Sequence, residues 1–411
     1  MAKLLVHNIG SLLTLETLVA EARHIALKPQ DLSILKNAWL AVEDGKVVGS
    51  GEGSIPAAFQ NFPKLDAKQK MVTPGLVDCH THPVFGGDRA HEFAARLEGK
   101  SYQDIAKAGG GIKYSIKTTR ETSSAELLDR CVGLLKTFLK HGVTTVEAKT
   151  GYGQNAKEEI RCLEVLQEAA KIVPQTLSVT CLGLHDVPVD FPDKADYIRH
   201  ITEDLLPVVK ERKLAQWVDA FVENGYFSVE DVAPYFAKAK SLGLSIRCHA
   251  DEFAPSGAAE AAARWDAASA DHMQKASDAG IEALAQSGAV AVMLPATSFY
   301  TKIAYADASR FRNKGCPVAV ASDFNPGSCY LSNLPFVASL SALYCGMSPT
   351  EALVAVTWNA AKALRLEKSK GALSRGFDAD FVIHGHSTLE QWIADFGQTA
   401  PLGVYCRGVL V

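Results

Sequence analysis

The residues best suited to chemistry in this chain are histidines that terminate short apolar runs. His80 and His82 close the run LVDCHTH as an HxH pair. Because side chains alternate along a strand, both imidazoles project to the same side. His185 ends TLSVTCLGLH, His249 ends LSIRCH, His272 ends ASADH and Asp323 ends PVAVASD. Several imidazoles with one carboxylate suit a transition-metal ion that keeps one position open for water. A lone HxH is weak support, and the chain supplies its own control. His384 and His386 form a second HxH in FVIHGHSTLE, which reads as a solvated feature on an exposed turn. His80 and His82 differ because three further histidines and an aspartate recur at the same place relative to their runs. Taken singly, His185 or His272 is also readable as a hydrogen-bonded core histidine.

These side chains can meet only if the runs that carry them are neighbouring strands. Candidate strands fall at 76–82, 143–149, 176–185, 217–223, 244–249, 268–272, 289–294 and 317–323. Between them lie stretches such as 156–173 and 230–243, with apolar residues at i, i+3, i+4 and i+7, the second closing on a glycine. Strands alternating with helices eight times predict an α/β fold, a (β/α)8 TIM-type barrel over 73–366, whose active site lies at the carboxyl ends of the strands. Residues 1–72 alternate apolar and polar, with Asp44-Gly45 as a hairpin turn, and 367–411 repeat short strands between glycine turns. The two ends are expected to build one small β-sandwich-like domain together.

Composition narrows the function. A chain of 411 residues with 47% hydrophobic and 21% charged residues can bury a large core, which excludes a disordered or fibrous protein. The formal net charge of −4 gives no basic surplus for nucleic acid or an anionic membrane. Nine scattered cysteines with no CxxC pair argue against a disulfide scaffold and a zinc ribbon. The opening apolar stretch is broken by Asn8, Thr14, Glu16 and Thr17, so neither a signal peptide nor a spanning helix is expected. The expected setting is the cytoplasm, and barrels of this size suggest a homodimer.

The stretch VTPGLVDCHTHPVFGGDRAHEF, with the later GGGI, EAKTGYG, HADEF, SADH and ASDFNPGS, resembles the amidohydrolase superfamily and, within it, the imidazolonepropionase subgroup. The PGxxDxHxH part marks the superfamily; HxHxVFGGxRAxEF, KTGYG and SDxNPGS mark the subgroup. The resemblance runs from the first β unit to GFDADFVI near the end. It implies one Zn2+ or Fe3+ ion per chain held by His80, His82, His249 and Asp323. It also implies substrate contacts from Arg89, Tyr152, His185, Glu252 and the loop Asn325-Pro326-Gly327-Ser328. The segment after His185, LHDVPVDFPDK, departs from the family pattern, which leaves the role of that loop open. In binuclear superfamily members a carbamylated lysine on the fourth strand bridges two metals. Here that strand ends in Val222-Glu223-Asn224, so the resemblance implies a mononuclear site, with Lys149 structural or an electrostatic contact.

The activity implied is hydrolytic opening of 4-imidazolone-5-propanoate to N-formimidoyl-L-glutamate, by attack of a metal-bound hydroxide on the ring carbonyl. Asp323, His272 and Glu252 are the acid/base candidates, and which of them is the general base stays open. Arg89 can pair with the substrate's anionic propionate arm in bidentate fashion. Two other readings use the same residues. A deaminase acting on a neutral cyclic base would give Arg89 nothing to bind, and a scaffold that had lost its chemistry would bind no metal.

Overall fold

The protein is described here from a computed structural model, over residues 3–100, 104–105 and 109–411. Two sheets organise it. The first is mixed and takes strands from both ends of the chain, in the order β16-β15-β14-β5-β1-β2-β3 with β4 on β1. β1 (Lys3–Leu13) runs antiparallel to β2 (Ile34–Glu43) and parallel to β4 (Lys64–Asp66) and β5 (Met71–Pro74). β2 returns as β3 (Lys46–Glu52) through Asp44 and Gly45, both at positive φ (50° and 77°), the conformation that a two-residue hairpin turn demands and glycine adopts without strain. β14 (Phe381–Ile383) is antiparallel to β5, followed by β15 (Gly403–Cys406) and β16 (Val409–Leu410). One face of this sheet buries Val6, Ile9, Leu40, Val42, Phe381 and Tyr405 as its own core.

The second sheet contains eight parallel strands among the described residues: β6 (Leu76–Thr81), β7 (Val143–Lys149), β8 (Thr176–Leu184), β9 (Trp217–Val222), β10 (Ser245–Ala250), β11 (Ser269–His272), β12 (Val290–Met293) and β13 (Val318–Val320). Each pairs with the next in sequence. The ring is closed between its first and last members, where Asp323 N donates to His80 O (3.0 Å) and His82 N to Phe324 O (2.8 Å). This is the expected (β/α)8 barrel beside a sheet built from both termini. The last strand differs at its end: its regular pairing stops at Val320, and Asp323 sits at φ 51°, so the chain turns sharply at the residue that must face the barrel mouth.

Alternation along the strands separates core from site. Val77 and Cys79 of β6 point outward and pack with Val292, Ala319, Ala360 and Leu364. Asp78, His80 and His82 occupy the intervening inward positions and are also buried. The helices carry their own stop and start signals. Asn155 accepts from Glu158 N to cap Ala156–Ile172, and Ser228 forms a capping box with Asp231 ahead of Val229–Ser241.

Candidate active site

At the carboxyl ends of the barrel strands, His80, His82, His249, His272 and Asp323 converge. One ligand atom from each of His80, His82 and Asp323, and likewise from each of His80, His249 and His272, lies within 4.8 Å of the others in its group. The imidazoles are oriented from behind. His80 Nδ1 lies 2.7 Å from Asp271 Oδ2, and His249 Nδ1 lies 3.0 Å from Asp219 Oδ2. With Nδ1 committed to a carboxylate, the Nε2 lone pair is left to face the centre. His80 Nε2 is buried, has no hydrogen-bond partner, and stands 3.4 Å from Asp323 Oδ1; His82 Nε2 stands 3.5 Å from the same oxygen. Burial, then the charge of Lys149, holds His80 well below its ordinary pKa, and burial with His249 does the same for His82. Neutral, inward-aimed imidazoles beside a carboxylate are what a metal ion requires, so this donor set fits one. Asp323 Oδ2 accepts from the Thr297 hydroxyl at 2.5 Å, which fixes the carboxylate plane.

Beneath the histidines lies a sealed layer of charge. Lys149 Nζ is 2.9 Å from Glu147 Oε1, 3.0 Å from Asp219 Oδ2 and 3.9 Å from Asp271 Oδ2. Arg247 Nη2 donates to Asp271 Oδ2 (3.0 Å) and to Cys79 O (2.6 Å). All five side chains are fully buried. Burial alone would lower Lys149, yet Glu147 and Asp219 together raise it, so the amine stays protonated. A protonated, triply faced ammonium is not available for carbamylation.

Above the histidines a cavity of about 1040 Å³ opens, lined on one side by His185, Tyr152 and Phe221. His185 stacks on His82 at 5.5 Å and its Nδ1 lies 2.9 Å from Gly151 O. Glu252 is buried on the wall, with Oε1 3.6 Å from His272 Nδ1. Burial, reinforced by Asp323 and Glu223, pushes its carboxyl well above the ordinary range, while burial takes His272 down to about 3. Both shifts run toward the uncharged form of each partner. Glu252 is held by its neighbours: Asp251 accepts from Ser256 N and Ala259 N, and Phe253 N donates to Glu223 Oε2.

Arg89 is buried, and its Nε and Nη2 donate to Glu92 Oε2 (2.9 and 2.8 Å), while Glu92 Oε1 accepts from Gly111 N. The guanidinium lies flat against Gly327, where a Cβ would come within 2.0 Å of Arg89 Cζ. Asn325 turns its side chain into its own loop, accepting from Gly327 N and Ser328 N and donating to Asp323 O. Asn325 and Ser328 also line the cavity. Arg89, Arg96, Lys100 and Lys302 give the mouth a cationic rim suited to an anionic ligand.

Every site residue expected from the sequence thus faces this mouth or braces the loop beside it. Sequence reasoning passed over Asp219, Asp271, Glu147 and Arg247, and also Glu92, Arg96 and Thr297. The first four carried a signal: they occupy inward positions within apolar runs, as in Arg247 and His249 two apart on β10. One expectation is overturned. His384 is not on an exposed turn; it is buried, its main chain continues β14 by pairing with Met71, and its Nε2 lies 2.8 Å from Thr73 Oγ1. The strand runs one residue further than its apolar letters, which seals the ring at the seam of the small sheet.

A profile of the amidohydrolase family matches residues 71–411. The imidazolonepropionase of Fusobacterium nucleatum is 37% identical over 414 residues, spanning 100% of this chain and 99% of its own length. That of Kosmotoga olearia is 43% identical over 380 residues, spanning 92% of each. Among solved structures, an N-isopropylammelide isopropylaminohydrolase from Burkholderia multivorans superposes with a TM-score of 0.72 at 17% identity, covering 100% of this chain and 98% of that one. At that identity the likeness is one of fold.

Proposed function

This chain belongs to the amidohydrolase family, and from that premise we propose that it hydrolyses 4-imidazolone-5-propanoate to N-formimidoyl-L-glutamate in histidine degradation. The observation that carries this reading is a buried guanidinium, Arg89, facing the same cavity as the His80, His82, His249 and Asp323 cluster. A neutral cyclic base would make no use of that guanidinium or of the cationic rim around it. His80, His82, His249 and Asp323 would hold one Zn2+ or Fe3+ ion. Such an ion lowers the pKa of a water toward about 7 and polarises a carbonyl oxygen.

The chain's own groups account for the remaining steps. Arg89, fixed by Glu92 and Gly327, binds the propionate carboxylate and so sets where the ring lies. Tyr152, His185, Asn325, Gly327 and Ser328 line or brace the rest of the ring's pocket. Asp323 accepts a proton from the attacking water, whose oxygen joins the ring carbonyl carbon. His272, neutral and aimed at the same centre, stabilises the charge developing on the carbonyl oxygen. Glu252, whose buried setting favours its acid form, delivers its proton to the ring nitrogen as the C–N bond breaks. Mixing purified protein with the imidazolone should produce N-formimidoyl-L-glutamate at the rate the ring absorbance disappears. Ammonia release from a nucleobase with no imidazolone turnover would replace this reading by the deaminase one.

A further inference from the structure

The sealed layer beneath the histidines is costly to build. Three carboxylates and two cations are removed from water with no net neutrality, and an apolar filling of equal volume would generally fold as well or better. Its connectivity is selective. Asp271 contacts His80 and Asp219 contacts His249, so each aspartate orients one imidazole. Arg247 reaches only the first of these aspartates. Lys149 faces both, at 3.0 and 3.9 Å, and is anchored from its own strand by Glu147. Glu147 in turn accepts from Thr81 N on β6, the strand that carries His80. One ammonium on β7 therefore links the supports of two imidazoles that arrive on β6 and β10.

We propose that Lys149 is a positioning residue for the metal centre: it locks Asp219 and Asp271 into one unit, so that His80 and His249 present their Nε2 atoms at a fixed separation without Lys149 touching the ion. This rests on the reading that His80 and His249 are ligands, and adds that their spacing is set one layer below them. Without the ammonium, Glu147, Asp219 and Asp271 repel one another, the two aspartates separate, and the imidazoles lose their common register.

The test compares wild type with Lys149→Met, and with Lys149→Met/Glu147→Gln, which removes opposite charges in equal number and keeps the layer's charge sum should the single variant fail to fold. Each protein is stripped by chelation and titrated with Zn2+ against a chromophoric competitor, and the visible bands of its Co2+ form are recorded beside its urea midpoint. The expected result is at least a tenfold weaker Zn2+ affinity and displaced Co2+ bands in whichever variant folds. A lowered urea midpoint with unchanged Zn2+ affinity and unchanged Co2+ bands would make Lys149 merely structural and overturn the inference. A wild type that itself takes up no Zn2+ would overturn the metal reading and this inference together.

Discussion

Arg89 illustrates how much a single side chain's setting decides. Its charge is shared with Glu92 at 2.8 Å, so an incoming carboxylate meets a guanidinium that is already oriented. Arg89→Ala should raise KM for the imidazolone by at least about tenfold, the loss expected from a charge-assisted pair. An unchanged KM in steady-state assays would move the propionate to Arg96 or Lys302. Glu252→Gln keeps the shape of the acid but cannot give up a proton, so kcat should fall by about 10²-fold or more while metal content, read by elemental analysis, stays the same. The clustered histidines were legible because polar residues interrupt apolar runs at equivalent points. Asp219, Asp271 and Arg247 were not, because they sit inside those runs, where one charged letter among apolar ones carries no mark of its partner on another strand.

The barrel strands were legible to within a residue or two, because the alternation of apolar runs with helical stretches is a local property. The exceptions are where long-range pairing decides: β13 loses regularity after Val320 as Asp323 turns inward, and β14 extends through His384 because Met71 is there to receive it. In the loop after β13, Gly327 packs against the Arg89 guanidinium. A Cβ there would lie 2.0 Å from Arg89 Cζ, so the guanidinium, the end of a flexible side chain, must shift from its place beside Glu92. Gly327→Ala should therefore mimic Arg89→Ala, raising KM severalfold or more, with a melting temperature closer to wild type than a core cavity would give. A normal KM in Gly327→Ala would show that the guanidinium is free to move aside.

For the molecule as a whole, acid is the natural stress. Burial lowers His384 to about 3, and burial with Lys362 lowers His24 to about 4. A depressed pKa means the unfolded chain binds protons that the folded chain refuses, so this stability is complete above pH 6.5 and is lost as pH falls through the window toward 3. Unfolding free energies from urea titrations between pH 6.5 and pH 4 should decline as pH falls, by up to about 1.4 kcal/mol per pH unit for the buried His384 while it remains neutral. A flat profile would mean that these rings are charged in the native state. Chelation should lower the melting temperature and metal return should restore it, since an ion bound only by the folded form stabilises by mass action; identical curves with and without chelator would speak against any resident ion. The pairing of β5 with β14, and of His80 O with Asp323 N, also has a consequence for biosynthesis. A ribosome releases His80 long before Asp323 and β5 long before β14, so neither the histidine–aspartate cluster nor the β5 pairing can form until the later segment has emerged.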